Sequence, residues 1–187
     1  VYKRQFLASR GVALPEGDPS DPPGDDTICA MGNKKNSLFN EILDHEGIAP
    51  YPGSLATLDR LVEIGVPSAI VSSSKNAVSV LQAAGLADRF DVVVDGVVAA
   101  DERLHGKPAP DSYLLGAERL GVDPAGTVVV EDATSGVAAG AAGGFAVVIG
   151  VDRGAGTDAL MANGATFVVA DLDELLGDAP TAPAVSA

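Results

Sequence analysis

The chain has 187 residues, 47% hydrophobic and only 4% aromatic, so it can build one good core, or one domain plus part of another, from Val, Leu, Ile and Ala. Its 26 acids against 12 bases give a formal net charge of -14, which argues against non-specific nucleic-acid binding and against anionic membrane surfaces. One cysteine, Cys29, excludes an internal disulfide framework and fits a reducing, cytoplasmic setting, and no apolar run approaches the ~20 residues of a membrane span.

Residues 1–46 are polar and helix-like, interrupted by a Pro/Gly/Asp loop from Pro15 to Asp26. From Asn33 to His45, Leu38, Phe39, Ile42 and Leu43 fall at helical spacing. Lys34, Lys35 and Asn36 open that helix, where a solvated basic end is the plain expectation. Tyr51-Pro52-Gly53 breaks it, and Leu55, Leu58, Leu61, Val62 and Ile64 predict a second helix stopped by Gly65.

The pattern then alternates. Val66 to Val71 reads as a strand with Pro67 at its edge, followed by Ser72-Ser73-Ser74-Lys75-Asn76 and a helix from Ala77 to Ala84. Phe90 to Val94 is the next strand, turned by Asp95-Gly96, with Asp95, Asp101 and Glu102 expected as solvated loop acids. A polar loop carries His105-Gly106-Lys107-Pro108-Ala109-Pro110, and Asp111 is expected to cap a helix that reaches Leu120 and stops at Gly121.

Val128 to Val130 is a short unbroken apolar run, as in a parallel strand buried on both faces. Glu131 and Asp132 follow, then a small-residue helix. Ala146–Val151 and Thr166–Val169 predict two further strands, with a helix over Asp158–Asn163 between them and a helical turn over Leu172–Leu176. Gly177–Ala187, rich in Pro and Ala, reads as a disordered tail. Alternating β and α at this spacing predicts an α/β fold with a doubly wound, Rossmann-like parallel sheet.

Such a sheet collects ligands beyond the carboxyl ends of its strands. That edge gathers the serines after Val71, the loop with Lys107, and Glu131-Asp132. Two adjacent carboxylates there suit a hard cation, Mg²⁺ first, although Asp132 or Thr134 could instead simply cap the helix. Hydroxyls and N–H groups after a strand suit phosphate, and a lysine held between prolines can neutralise a phosphoryl group.

The segments Val-Ser-Ser-Ser-Lys-Asn, Gly-Lys-Pro-Ala-Pro-Asp and Val-Val-Val-Glu-Asp-Ala-Thr-Ser-Gly-Val, in that order, resemble motifs two to four of the haloacid dehalogenase-like hydrolases, most of all the β-phosphoglucomutase branch. The resemblance covers roughly Asn33 to Leu176. It implies a Mg²⁺-dependent phosphotransferase acting on a sugar phosphate through an aspartyl phosphate: a mutase, or a phosphatase of the same family. It further implies that Ser72 holds the phosphoryl group, Lys107 neutralises it, and Glu131 and Asp132 position Mg²⁺, with Asp132 the direct ligand. Ser73, Ser74, Lys75 and Asn76 would grip phosphate. Lys35 and Asn36 would touch the same ligand, which replaces the solvated-end expectation. The partner is then a small sugar phosphate, the full-length protein is expected as a monomer, and the organisation is a partial helical cap over 1–49, a core over 50–176 and the tail over 177–187.

The family's Asp-x-Asp motif, whose first Asp is the nucleophile, has no counterpart. Asp18 and Asp21 lie in the Pro/Gly loop, and no strand precedes Asp25-Asp26. With Val1 opening on interior-like sequence, the expectation is a fragment that begins inside the cap. It would lack the strand between those ending at Val71 and Val130 and would be inactive and prone to aggregate. A natural non-catalytic binding protein is the competing expectation.

Overall fold

A computed structural model describes residues 7–8 and 10–177. The chain divides between Ile48 and Ala49 into two compact units. The expected disordered tail falls, beyond Gly177, outside the described residues.

In the first unit, helix α1 spans Ile28–Glu46, five residues ahead of the expected start. Its beginning is set by Thr27, whose hydroxyl accepts the Ala30 N–H at 2.9 Å, a side-chain cap that apolar spacing alone does not reveal. The loop before it is pinned to the helix, since the Asn33 side chain donates to the Pro19 and Asp21 carbonyls. Of the four apolar positions that predicted this helix, only Leu43 is buried.

Among the described residues, the second unit holds all the strands. Helix α2 (Pro52–Glu63) starts with Pro52 in its first turn, where a missing N–H is harmless. Strand β1 (Ala69–Val71), helix α3 (Ala77–Ala83), strand β2 (Val92–Val94), helix α4 (Gly96–Asp101) and helix α5 (Asp111–Leu120) follow. Strand β3 (Val128–Glu131), helix α6 (Thr134–Ala142), strand β4 (Val147–Val151), helix α7 (Thr157–Ala162) and strand β5 (Phe167–Val169) complete the alternation.

Among the described residues all pairing is parallel, in two sheets: β1 with β2, and β3–β4–β5 with β4 central. The break falls between β1 and β3, where the motif resemblance puts a further strand; no strand joins them among the described residues. Helix α5 covers β1 and β2, α6 covers β3 and β4, and α7 covers β4 and β5.

The main core joins Tyr113, Val129, Val137, Val148 and Leu160, with Val71 packed against it. On the opposite face, Ile149, Val151 and Val169 meet Leu172 and Leu175 of a 3-10 turn, Leu172–Leu175. Strand β4 is thus apolar on both faces, as a central parallel strand should be.

Several expectations need correcting. Strand β3 is not buried on both faces: Val129 is buried against α6, but Val128 and Val130 remain 51% and 43% exposed. The cover on their face lies over β4 and β5, so β3, an edge strand, is left half open. The Asp95-Gly96 turn is followed by a helix, not an open loop. Asp95 is no solvated acid; it is 6% exposed, and its carboxylate accepts the Val97 and Val98 N–H groups as the α4 cap. Asp111 does not cap α5 but lies in its first turn, accepting from the backbone N–H of His105 and contacting its ring. Gly121 does stop α5, at φ 70°.

Candidate active site

Strand β3 ends on Glu131, and the chain turns at once into α6. The Glu131 side chain folds back over that helix start. Its Oε2 accepts the Asp132 and Ala133 N–H groups, both at 3.1 Å. Its carboxylate occupies the space where a side chain on Gly136 would lie, so the fold at this point requires glycine. A carboxylate at a helix amino terminus is also favoured by the partial positive charge there.

The other oxygen, Oε1, accepts from two side chains. The Lys107 ammonium makes a close ion pair with it, and the Tyr113 hydroxyl donates to it at 2.7 Å. Lys107 Nζ in turn donates to the Tyr113 oxygen at 2.9 Å and lies 4.5 Å from the centre of its ring. The Lys107 and Glu131 side chains are each only 11% exposed. Burial alone would raise the Glu131 pKa, but Lys107, Tyr113 and the Ala133 N–H outweigh it and hold the carboxyl below its ordinary value. Burial, with the negative charge of Glu131, pushes the Tyr113 hydroxyl well above the usual phenol range, so it stays protonated and donates.

Asp132 is exposed, and it does not cap the helix: the α6 cap is Ala133, with no side-chain bond, and Thr134 is the first helical residue. The expectation that Asp132 or Thr134 caps this helix therefore fails. The two carboxylates divide the work, Glu131 being engaged at both oxygens while Asp132 faces solvent. Among the described residues no group of three or more His, Cys, Asp or Glu side chains gathers here or elsewhere. Mg²⁺ is commonly held by one or two carboxylates together with substrate phosphate, and this donor set fits that habit.

Ser72 continues the β1 ladder through its N–H to the Val94 carbonyl, 2.9 Å. Its hydroxyl oxygen accepts the Ser74 N–H and that of Ser74 accepts the Asn76 N–H, each at 3.1 Å. A hydroxyl accepting in this way keeps its own proton for a further partner. The serines form a turn of their own, and α3 begins only at Ala77. Ser73, Ser74 and Lys75 are exposed, with Ser72 and Asn76 partly so. Gly96 lies directly beneath them: a Cβ there would come within 2.7 Å of the Ser73 carbonyl, and its N–H donates to the Ser74 carbonyl.

Helix α5 ties the two halves together. Tyr113 and Gly116 are three residues apart and share a face. Tyr113 holds Glu131, while Gly116 lets Val71, the residue before Ser72, approach to within 3.1 Å of where its Cβ would be. Lys107, Glu131 and Asp132 are thus brought together, with the end of β1 packed beside them. Lys35 and Asn36 belong to the other unit, on exposed positions of α1.

Motif reading missed Tyr113, Asp95, Gly96 and Gly136 as parts of this site. The signal for Tyr113 was its place in a helix that must bury a face, since a buried tyrosine hydroxyl needs a partner. His105 is a surface histidine joined to Asp111. Arg153 pairs with Asp171 at 2.8 Å and stacks on Tyr51.

The parallel α/β unit, the turn of serines after one strand, the buried lysine and the acid pair after another define a class. A family model for haloacid dehalogenase-like hydrolase matches residues 3–144, and the chain belongs to that family. Within it, the chain is 46% identical over 177 residues to a β-phosphoglucomutase from Mycobacterium bovis, covering 92% of this chain and 67% of that one. It is 42% identical over 110 residues to hexitol phosphatase A of Escherichia coli, covering 58% of this chain and 49% of the relative. The crystal structure of a β-phosphoglucomutase from Clostridium difficile superposes with a TM-score of 0.68 at 26% identity, covering 81% of this chain and 64% of that one. The chain therefore spans about two thirds of the length of the mutases it resembles.

Proposed function

We propose that this chain is the phosphoryl-holding and metal-holding part of a Mg²⁺-dependent phosphotransferase for sugar phosphates, with β-glucose 1-phosphate as substrate and glucose 6-phosphate as product. The observation that carries the reading is the buried Lys107 ammonium on an engaged Glu131 carboxylate, with the open Asp132 carboxylate at the next position. The similarity to β-phosphoglucomutases supports the choice of substrate.

In this reading Lys107 turns toward an incoming phosphoryl group and neutralises its charge. Ser72 donates its hydroxyl proton to a phosphoryl oxygen. Ser74, Lys75 and Asn76 hold the second, non-reacting phosphate, and Ser73 adds a further phosphate contact. Asp132 would hold Mg²⁺ directly, with Glu131 beside it, and the bound ion would supply further charge neutralisation. Such chemistry needs a carboxylate nucleophile, and no third acid joins this pair among the described residues. The 187-residue chain by itself is accordingly proposed to bind its ligand without turning it over.

The test pairs calorimetry with a coupled glucose 6-phosphate assay. We expect Mg²⁺-dependent binding of β-glucose 1-phosphate and no turnover. Absence of any Mg²⁺-dependent phosphate-ester binding would contradict the function, and measurable turnover would contradict the inactivity.

The similarity to hexitol phosphatase A favours a second reading, simple hydrolysis of a sugar phosphate. A mutase must hold a second phosphate, so tighter binding of glucose 1,6-bisphosphate than of the monophosphate supports the mutase. Equal binding supports the phosphatase.

A further inference from the structure

Tyr113 joins two environments in one side chain. Its ring belongs to the main core with Val129, Val137 and Leu160, and it meets Phe145 edge-on, with centroids 5.9 Å apart. Its hydroxyl emerges at the polar end of that core, where it donates to Glu131 Oε1 and accepts from Lys107 Nζ. Lys107 and Glu131 also touch each other, so the three groups close a triangle.

Two corners of that triangle are pliant. A lysine side chain has four rotatable bonds and a glutamate three, and each can leave by rotation. The third corner is rigid, because moving the tyrosine hydroxyl means moving a ring clamped in a close-packed core. The Lys107 ammonium also lies 4.5 Å from the centre of that ring.

We propose that Tyr113 is a positioning residue: its hydroxyl is the fixed post that sets where the Lys107 ammonium and the Glu131 carboxylate rest. When an anion draws Lys107 away from Glu131, Tyr113 still donates to Oε1, so the carboxylate keeps its place at the start of α6. The second statement rests on the reading of Lys107 as a phosphoryl-binding group; the first does not.

The test is Tyr113→Phe, which keeps the ring and its packing and deletes only the hydroxyl. Acetylation of Lys107 by acetic anhydride at fixed pH, read by peptide mass spectrometry against Lys75 as internal reference, reports how firmly the ammonium is held. We expect Lys107 to label roughly threefold to tenfold faster in the variant, the size of one lost hydrogen bond, with Lys75 unchanged and the fold intact. An unchanged Lys107 rate overturns the proposal. So does a variant that fails to fold, because the hydroxyl would then be an element of stability and not of position. Binding of inorganic phosphate with Mg²⁺ is measured alongside. Faster labelling with weakened phosphate binding supports both statements. Faster labelling in a protein whose wild type binds no phosphate leaves the positioning role standing and removes the functional reading.

Discussion

The Glu131 carboxylate lies where the side chain of residue 136 would be, and residue 136 is glycine. Helix propensity favours Ala over Gly by about 1 kcal/mol, so an exposed helical site would gain from Gly136→Ala. Here the new methyl would displace a carboxylate that holds four hydrogen-bond donors. We expect a net loss of roughly 1–3 kcal/mol, the usual penalty of overpacking. A fall in Tm of roughly 2–4 °C per kcal/mol would register it. A rise in Tm would show that Glu131 moves aside at no penalty.

Lys107 and Glu131 form a buried pair, and removing one partner leaves the other uncompensated. Lys107→Met is expected to destabilise the chain by about 3 kcal/mol. The double variant with Glu131→Gln should lose less than the sum of the two singles. Urea unfolding of all four proteins measures the coupling, and additive losses would mean that the pair is not formed in solution.

The same pair sets a pH dependence. Glu131 titrates below its ordinary value, the burial penalty being outweighed by Lys107, Tyr113 and the Ala133 N–H. A lowered folded-state pKa gives stability that is complete above the unfolded value and is lost as pH falls through the folded one. Asp18, Asp111, Asp152 and Asp171 are lowered too, each by local hydrogen bonds, so the comparison with Glu131→Gln isolates the one group. Wild type should keep a constant advantage over the variant down to about pH 5 and lose it in more acid solution. An advantage that persists at the acid end would contradict the shift.

Strand β3 exposes Val128 and Val130 on one face and is an edge of its sheet. Exposed apolar edge strands invite pairing with other chains. Replacing both valines with Thr keeps the branched shape and adds polarity. Sedimentation should then show less self-association than in the wild type, and an unchanged distribution would mean that association arises elsewhere.

Much of this fold was legible in the sequence because hydrophobic periodicity and glycine stops mark the elements of an alternating α/β chain. The three motifs likewise marked Ser72, Lys107, Glu131 and Asp132 as candidates. What stayed hidden was tertiary. Nothing local distinguishes Asp95, which is buried as a helix cap, from the exposed Asp101 six residues later. The valines of β3 read as doubly buried because a run of three cannot tell where the covering layer stops. Tyr113 and Gly136 both meet Glu131, and for Tyr113 that contact spans 18 residues. The division between the two acids, one engaged and one open, depends on that contact as well.

Asp132 is the open carboxylate on which the proposed Mg²⁺ site depends. It is exposed and caps nothing, so Asp132→Asn should leave stability within about 0.5 kcal/mol of wild type. The decisive measurement is calorimetric titration of wild type and Asp132→Asn with β-glucose 1-phosphate, in the presence and absence of Mg²⁺. We expect wild type to bind more tightly with the metal and Asp132→Asn to lose this Mg²⁺ effect while remaining folded. An equal Mg²⁺ effect in the two proteins would contradict it.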